Sequence, residues 1–353
     1  MLGVAAGEGD RSGRRATIID VAHHAGVSIA SVSKVLRGAP GVSSAMKERV
    51  NASVEALSYR PHRLARGMRG PMFTVGVMLS DIENPFFSLL IQGMVEVFGS
   101  QGYELQIAPA TAGEESQNSV IDSLIDHQMD GLILIAPRGR EEHLERIGEQ
   151  VPMVVIGPHG PSEHYDTVSG DDELGSALIV DHLVSLGHRR IAFLTNEHPA
   201  DRLNLPESAR ARGFEEAMGR HGLSDDLLFV PGVWSLEGGR DAARRILEAS
   251  PRPTAVHAGA DVAAFGILSY LWEEGVRIPE DVSVAGYDNS PMGSFTPISL
   301  TSVDQSGHEM GAIAAKLLLE RIAGRSEPHN DVLTPRLIVR GTTSAPGAAI
   351  QSR

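Results

Sequence analysis

Ser28, Ser31, Ser33 and Lys34 bring three hydroxyls and an ammonium together within seven residues, and Arg37 follows. These groups donate to phosphate oxygens; in this pattern they make neither a nucleophile nor a metal cage. Between them stand Ile29 and Ala30, apolar side chains that can meet thymine methyls or respond to groove shape but form no bidentate hydrogen bond to a base edge. Fourteen histidines occur without H-E-x-x-H or comparable ligand spacing, and there is no cysteine, so no disulfide, thiolate site or catalytic metal is expected. No G-x-x-x-x-G-K-[ST] loop and no strand-linked G-x-G-x-x-G appears, so nucleotide-cradling loops are missing too. No catalytic residue and no cofactor is assigned.

The phosphate-seeking residues need a scaffold, and the local sequence supplies one. Thr17 is a good helix N-cap with Asp20 three residues on, and Ile18, Val21, Ala22 and Ala25 recur at helical spacing. Gly26 supplies a left-handed stop. Ser28 then caps a second helix, Ile29 to Leu36, which puts Ile29 and Ala30 at its tip. A third helix and an arginine-rich segment run to Gly70. Two short helices split by a tight glycine turn make a helix-turn-helix, whose second helix enters a DNA major groove.

Charge divides the chain in the same way. Residues 1–70 hold eleven Lys/Arg against five Asp/Glu, a balance of +6, whereas residues 71–353 hold twenty against forty, a balance of −20. A basic module on an acidic body binds phosphate backbone with the first part and keeps the second away from it. At 353 residues and 42% apolar content the chain is too long for one domain and rich enough for large cores. No apolar run approaches the ~18 residues of a membrane span. The first sixteen residues are polar and glycine-rich with no signal core, and Arg11, Arg14 and Arg15 there could touch phosphates, so export is not expected.

From Pro71 the pattern becomes strand and helix in alternation. Strands are expected at 73–79, 103–108, 131–136, 153–156, 191–195, 254–258, 282–287, 300–303 and 333–339. Helices are expected near 88–100, 115–128, 141–149, 173–186, 208–221, 238–249, 262–274 and 308–323. This is an α/β fold with a doubly wound parallel sheet in each of two lobes, and ligands of such sheets sit beyond the carboxyl ends of the strands.

The run T-I-x-D-V-A-x-x-A-G-V-S-x-x-S-V-S-K-V-L, then V-S, Y-R-P and A-R, resembles the lac repressor family of bacterial transcription regulators, and the likeness extends to about Thr343. The resemblance implies a disordered basic arm (1–16), a headpiece (17–60) and a hinge helix (61–72). It further implies an N-terminal lobe (73–169 and 299–328), a C-terminal lobe (170–298 and 329–343) and a tail (344–353), the effector domain being like a periplasmic binding protein. Thr17, the three serines, Lys34, Arg37, His62 and Arg66 are the implied phosphate and groove contacts. The pair Ile29-Ala30 would set operator preference, and Lys34 stands where an arginine is usual. Met68 takes the place of a leucine wedged between base pairs where two hinges pair, and Gly67 weakens that helix.

For the effector, Asp81 with Asn84, Phe86 and Phe87 resembles the family's first-strand loop. Arg210 matches its clamping arginine, Trp234 a stacking aromatic, Asp261 the aspartate of its N-D-x-x-A motif, and Asp288 an acceptor of ligand hydroxyls. An aromatic face with Asp and Arg is the inventory for a sugar. Ala260 replaces an asparagine before Asp261, and Gly157-Pro158 an Asp-Arg pair, so either a ligand with fewer hydroxyls than a plain hexose or a different binding mode is expected. The expectation is a cytoplasmic homodimer, without tetramer-forming heptads in its last ten residues, that binds a pseudo-palindromic operator and represses carbohydrate uptake or utilisation genes. A purine effector, an exported sugar-binding protein and a sugar-modifying enzyme remain the alternatives.

Overall fold

The computed structural model describes residues 16–36, 39, 41–59, 71–111, 113–196 and 205–347, and divides after Met72 into two units. The first carries α1 (Ile18–Ala25), α2 (Ile29–Leu36) and α3 (Ser44–Ala56). Thr17 and Asp20 form a reciprocal capping box: the Asp20 carboxylate accepts from the Thr17 N–H at 2.8 Å, and Thr17 Oγ1 accepts from the Asp20 N–H at 3.4 Å. Gly26 stops α1 in the left-handed region at φ 64°. Val21, Val32 and Val50, one from each helix, are fully buried with Ala22, Ala25 and Tyr59 around them. The His24 ring meets Ser53 Oγ at 3.0 Å and ties α1 to α3.

The second unit holds two six-stranded sheets. The first contains β1 (Thr74–Leu79), β2 (Glu104–Pro109), β3 (Gly131–Ile135), β4 (Met153–Ile156), β5 (Asp166–Gly170) and β11 (Asn330–Leu333), in the order β11-β5-β4-β3-β1-β2. The second contains β6 (Ile191–Asn196), β7 (Leu227–Gly232), β8 (Ala255–His257), β9 (Ser283–Tyr287), β10 (Thr301–Asp304) and β12 (Arg336–Ile338), in the order β12-β10-β9-β8-β6-β7. Every pairing is parallel except β10 with β12. Helices α4 (Pro85–Ser100), α5 (Glu114–Asp126), α6 (Glu141–Gly148) and α11 (Gly307–Ile322) belong to the first lobe. Helices α7 (Asp172–Ser185), α8 (Pro206–Arg220), α9 (Leu236–Glu248) and α10 (Asp261–Glu273) belong to the second. Helices α4 and α11 meet backbone to backbone: a β-carbon on Gly311 would fall 2.0 Å from the Leu90 carbonyl, and one on Gly93 would fall 2.0 Å from that of His308.

The chain passes between lobes three times, after β5, after β10 and between β11 and β12. Two lobe boundaries expected from sequence are corrected here. Residues 301–304, placed with the N-terminal lobe, pair with Ala285–Tyr287 of the second sheet, because Leu300 and Val303 enter that lobe's core while the apolar face of α11 enters the other. Residues 329–343, placed whole in the C-terminal lobe, split: β11 pairs with β5 in the first sheet and only β12 reaches the second. The strand expected at 333–339 is therefore two strands. The helix expected from Ser88 begins at Pro85, because Asn84 caps it, accepting from the Phe86 N–H at 2.9 Å. Strands β5 and β7 were not expected at all. The polar run Asp166-Thr167-Val168-Ser169 hides a strand whose first four residues are buried.

Candidate functional site

The lobes enclose a crevice with a cavity volume of about 350 Å³ at the carboxyl ends of β1, β3, β4, β6, β7 and β9. Arg210, on the first turns of α8, is its centre. Nε donates to Asp172 Oδ1 at 2.7 Å, one terminal nitrogen donates to the Gly259 carbonyl at 2.7 Å, and Asp288 Oδ1 lies 3.8 Å away. The guanidinium also stacks 3.7 Å from the Tyr287 ring centroid and 4.9 Å from that of Trp234. Trp234 is held by its own N–H, which donates to the Leu194 carbonyl at 2.9 Å. Gly259, at φ 74°, makes room for it: a β-carbon there would lie 2.3 Å from the indole nitrogen.

Asp288 sits at φ 118°, a backbone region that strains a non-glycine residue, and is buried. Gln305, on the crossing after β10, donates to its Oδ1 at 2.6 Å, and Asn84 of the first lobe reaches its Oδ2 at 3.5 Å. Burial raises the Asp288 carboxyl, with Arg210 opposing and Asp261 adding to the rise. Burial likewise raises Asp172 against the pull of Arg210. Burial works against the charge on Arg210, but Asp172, Tyr287 and Asp288 outweigh it, so the guanidinium stays protonated. A second link spans the lobes, where Arg138, just after β3, donates to Glu207 Oε1 of α8 at 2.8 Å.

Of the expected effector residues, Asp81, Asn84, Phe86, Phe87, Arg210, Trp234 and Asp288 all line the crevice. Phe86 does so from the edge of the first core. Asp261 does not, and its expected role is corrected. Its carboxylate accepts from the Ser290 N–H (2.6 Å), Ser290 Oγ (2.8 Å) and Ser302 Oγ (2.6 Å), which binds α10 to β10 and to the loop after β9. Ala260, at the cap of α10, provides no side-chain hydrogen bond. Gly157 lies on the wall, at φ 141°. Sequence reasoning missed Asp172, Glu207, Arg138 and Gln305. The signal for Asp172 lay in Gly170-Asp171-Asp172, a strand end running into a helix, but it needed β5 to be seen first.

In the headpiece unit, Ile29, 47% exposed, stands with Ala30 and Lys34 on the outer surface of α2, while Val32 fills the core. Ser28 Oγ accepts from the Ser31 N–H at 3.1 Å and so starts α2; the two hydroxyls lie 2.9 Å apart. Ser33 is half-buried, and Thr17 is committed to its cap. Arg37, His62, Arg66 and Met68, with the amino-terminal arginines, lie outside the described residues. No group of three or more His, Cys, Asp or Glu able to hold a metal occurs among the described residues. No helix among them is long and apolar enough to cross a membrane.

Residues 17–62 match the bacterial regulatory proteins of the lacI family, and residues 180–343 match the periplasmic binding protein-like domain. The chain is 34% identical over 345 residues to the HTH-type transcriptional regulator reg1 of Streptomyces lividans, covering 94% of this chain and 97% of that protein. It is 32% identical over 332 residues to the ribose operon repressor of Escherichia coli, covering 93% and 99%. Among solved structures it resembles the lac repressor dimer bound to operator and an anti-inducer, with TM-score 0.77 and 26% identity over 94% of this chain and all of that one.

Proposed function

This chain belongs to the lac repressor family of bacterial regulatory proteins, and from that premise we propose that it is a DNA-binding repressor of carbohydrate uptake or utilisation genes, controlled by a small sugar in the crevice. The observation that carries the effector half is the setting of Arg210. A buried guanidinium is fixed by Asp172 and Gly259 beside an aspartate and an indole, and Phe87 also lines the crevice. Hydroxyls of a sugar would donate to Asp288 and Asp81, and Trp234 or Phe87 would cover its C–H face.

A ligand touching both lobes favours one angle between them, because three short chain crossings join the lobes and one of them, through Gln305, is bonded to Asp288. The DNA half rests on the exposed tip of α2. Ile29 and Ala30 would face base edges, while Ser28, Ser31, Ser33, Lys34, Thr17 and Arg37 would hold the backbone. His62 and Arg66 would contact DNA from the hinge, and Met68 would wedge into the minor groove of a pseudo-palindrome bound by two copies. The protein would work in the cytoplasm, where its DNA is, and would turn nothing over.

A thermal-shift screen of the full chain against sugars, sugar phosphates and purines tests the effector half, since a ligand at a hundred times its Kd stabilises the fold by about 2.7 kcal/mol. A carbohydrate that raises the melting temperature of the core is the expected result. Stabilisation by purines alone would replace the sugar reading, and conversion of a bound sugar to product would return the chain to the enzymes.

A further inference from the structure

Among the described residues five carboxylates line the crevice, those of Asp81, Glu83, Asp172, Glu207 and Asp288, against the two guanidiniums of Arg138 and Arg210. Each guanidinium is already paired with a carboxylate. Arg210 is held by Asp172 at 2.7 Å with Asp288 at 3.8 Å, and Arg138 by Glu207 at 2.8 Å. Among the described residues no cation pairs with Asp81 or Glu83. Glu207 also occupies the first turn of α8, the helix end that would otherwise attract a phosphate. Even with one carboxyl neutral the lining keeps more carboxylates than guanidiniums. It is rich in acceptors, and those of Asp81 and Glu83 have no cationic partner among the described residues.

We propose that the crevice admits neutral, hydroxyl-rich ligands and refuses phosphorylated or carboxylated ones, and that Glu207 enforces the choice by occupying Arg138. The inference rests on the crevice being a carbohydrate site. A sugar phosphate brings −1.5 to −2 charges at about neutral pH. Entering this crevice, it would shed water without gaining a cation and would face carboxylates at short range. Removing the charge on Glu207 releases Arg138 from this ion pair and lets its guanidinium attract a phosphate.

The test is calorimetry on the full chain with D-ribose, D-glucose and cellobiose, each beside ribose 5-phosphate, glucose 6-phosphate or cellobiose 6-phosphate. In the wild type the neutral member of whichever pair binds should be favoured at least tenfold. Glu207→Gln should raise affinity for the phosphorylated member at least tenfold, and adding Arg138→Gln should abolish that gain. A phosphorylated member that binds the wild type as tightly as its neutral counterpart overturns the inference and leaves the carbohydrate reading intact. Binding by no member of any pair overturns both. An unchanged ratio in a folded Glu207→Gln removes Glu207 from the selection, and the wild-type comparison holds whether or not the variants fold.

Discussion

Arg210 is 5% exposed and its ion pair with Asp172 is buried on both sides, so its removal is a stability event as well as a binding one. Arg210→Ala strands Asp172 and Asp288 in the interior and should cost about 3–5 kcal/mol in urea unfolding of the core. Arg210→Lys keeps the charge and loses the fork, so it should recover part of that stability without ligand binding. His257 lies beneath this pair, fully buried. Its Nδ1 accepts from the Gly259 N–H at 3.1 Å and its Nε2 faces Ser176 Oγ at 2.9 Å. Burial, with Arg210 adding, lowers its pKa to about 3 from 6.5. The unfolded residue therefore gains a proton that the folded one refuses, so its stability contribution is complete above pH 6.5 and is lost as pH falls towards 3. From this residue the unfolding free energy should fall by up to ~1.4 kcal/mol per pH unit between pH 7 and pH 5, against the opposite contribution of the raised Asp288 carboxyl, and His257→Gln should remove that fall, read from urea unfolding at the two pH values. Legibility at this scale followed sequence distance. The residue types of Arg210 and Asp288 could be read, but the partner Asp172, 38 residues from Arg210, could not. Asp261 was misread because its three donors, on Ser290 and Ser302, lie on elements that only the fold brings to it.

At the scale of elements, the headpiece helices were legible because their ends are chemical statements: Thr17 with Asp20, Gly26, then Ser28. Thr17→Ala should lower headpiece stability by about 1 kcal/mol, measured by its thermal transition, and leave the core transition where it is. Strands β5 and β11 were not legible, since buried polar residues conceal the first and the second is a short stretch just before the crossing to the other lobe. The paired glycines of α4 and α11 mark a contact that a single sequence does not announce. Gly311→Val would drive a side chain into the Leu90 carbonyl and should destabilise the first lobe by at least 1–3 kcal/mol, read by urea unfolding. On α2 the exposed pair Ile29-Ala30 makes a different claim, since substitutions there should change which duplex is preferred while the fold stays as stable.

For the molecule as a whole, the +6 of residues 1–70 and the −20 of the remainder place the DNA affinity in the first part, and with it a steep dependence on salt. Arg66→Ala should reduce the slope of log K against log salt by about one, and an unchanged slope would confine this arginine to supporting the hinge. Light scattering should give the mass of a dimer at micromolar concentration. The central claim is that a ligand in the crevice controls DNA binding by the headpiece. It is tested most directly by selecting the preferred duplex from a random pool and then measuring its affinity by fluorescence anisotropy with and without the sugar that stabilises the core. The account predicts a pseudo-palindromic duplex whose affinity changes by at least about fivefold when the crevice is saturated, the lower end of ordinary coupling. An affinity unmoved by a sugar shown to be bound would contradict it.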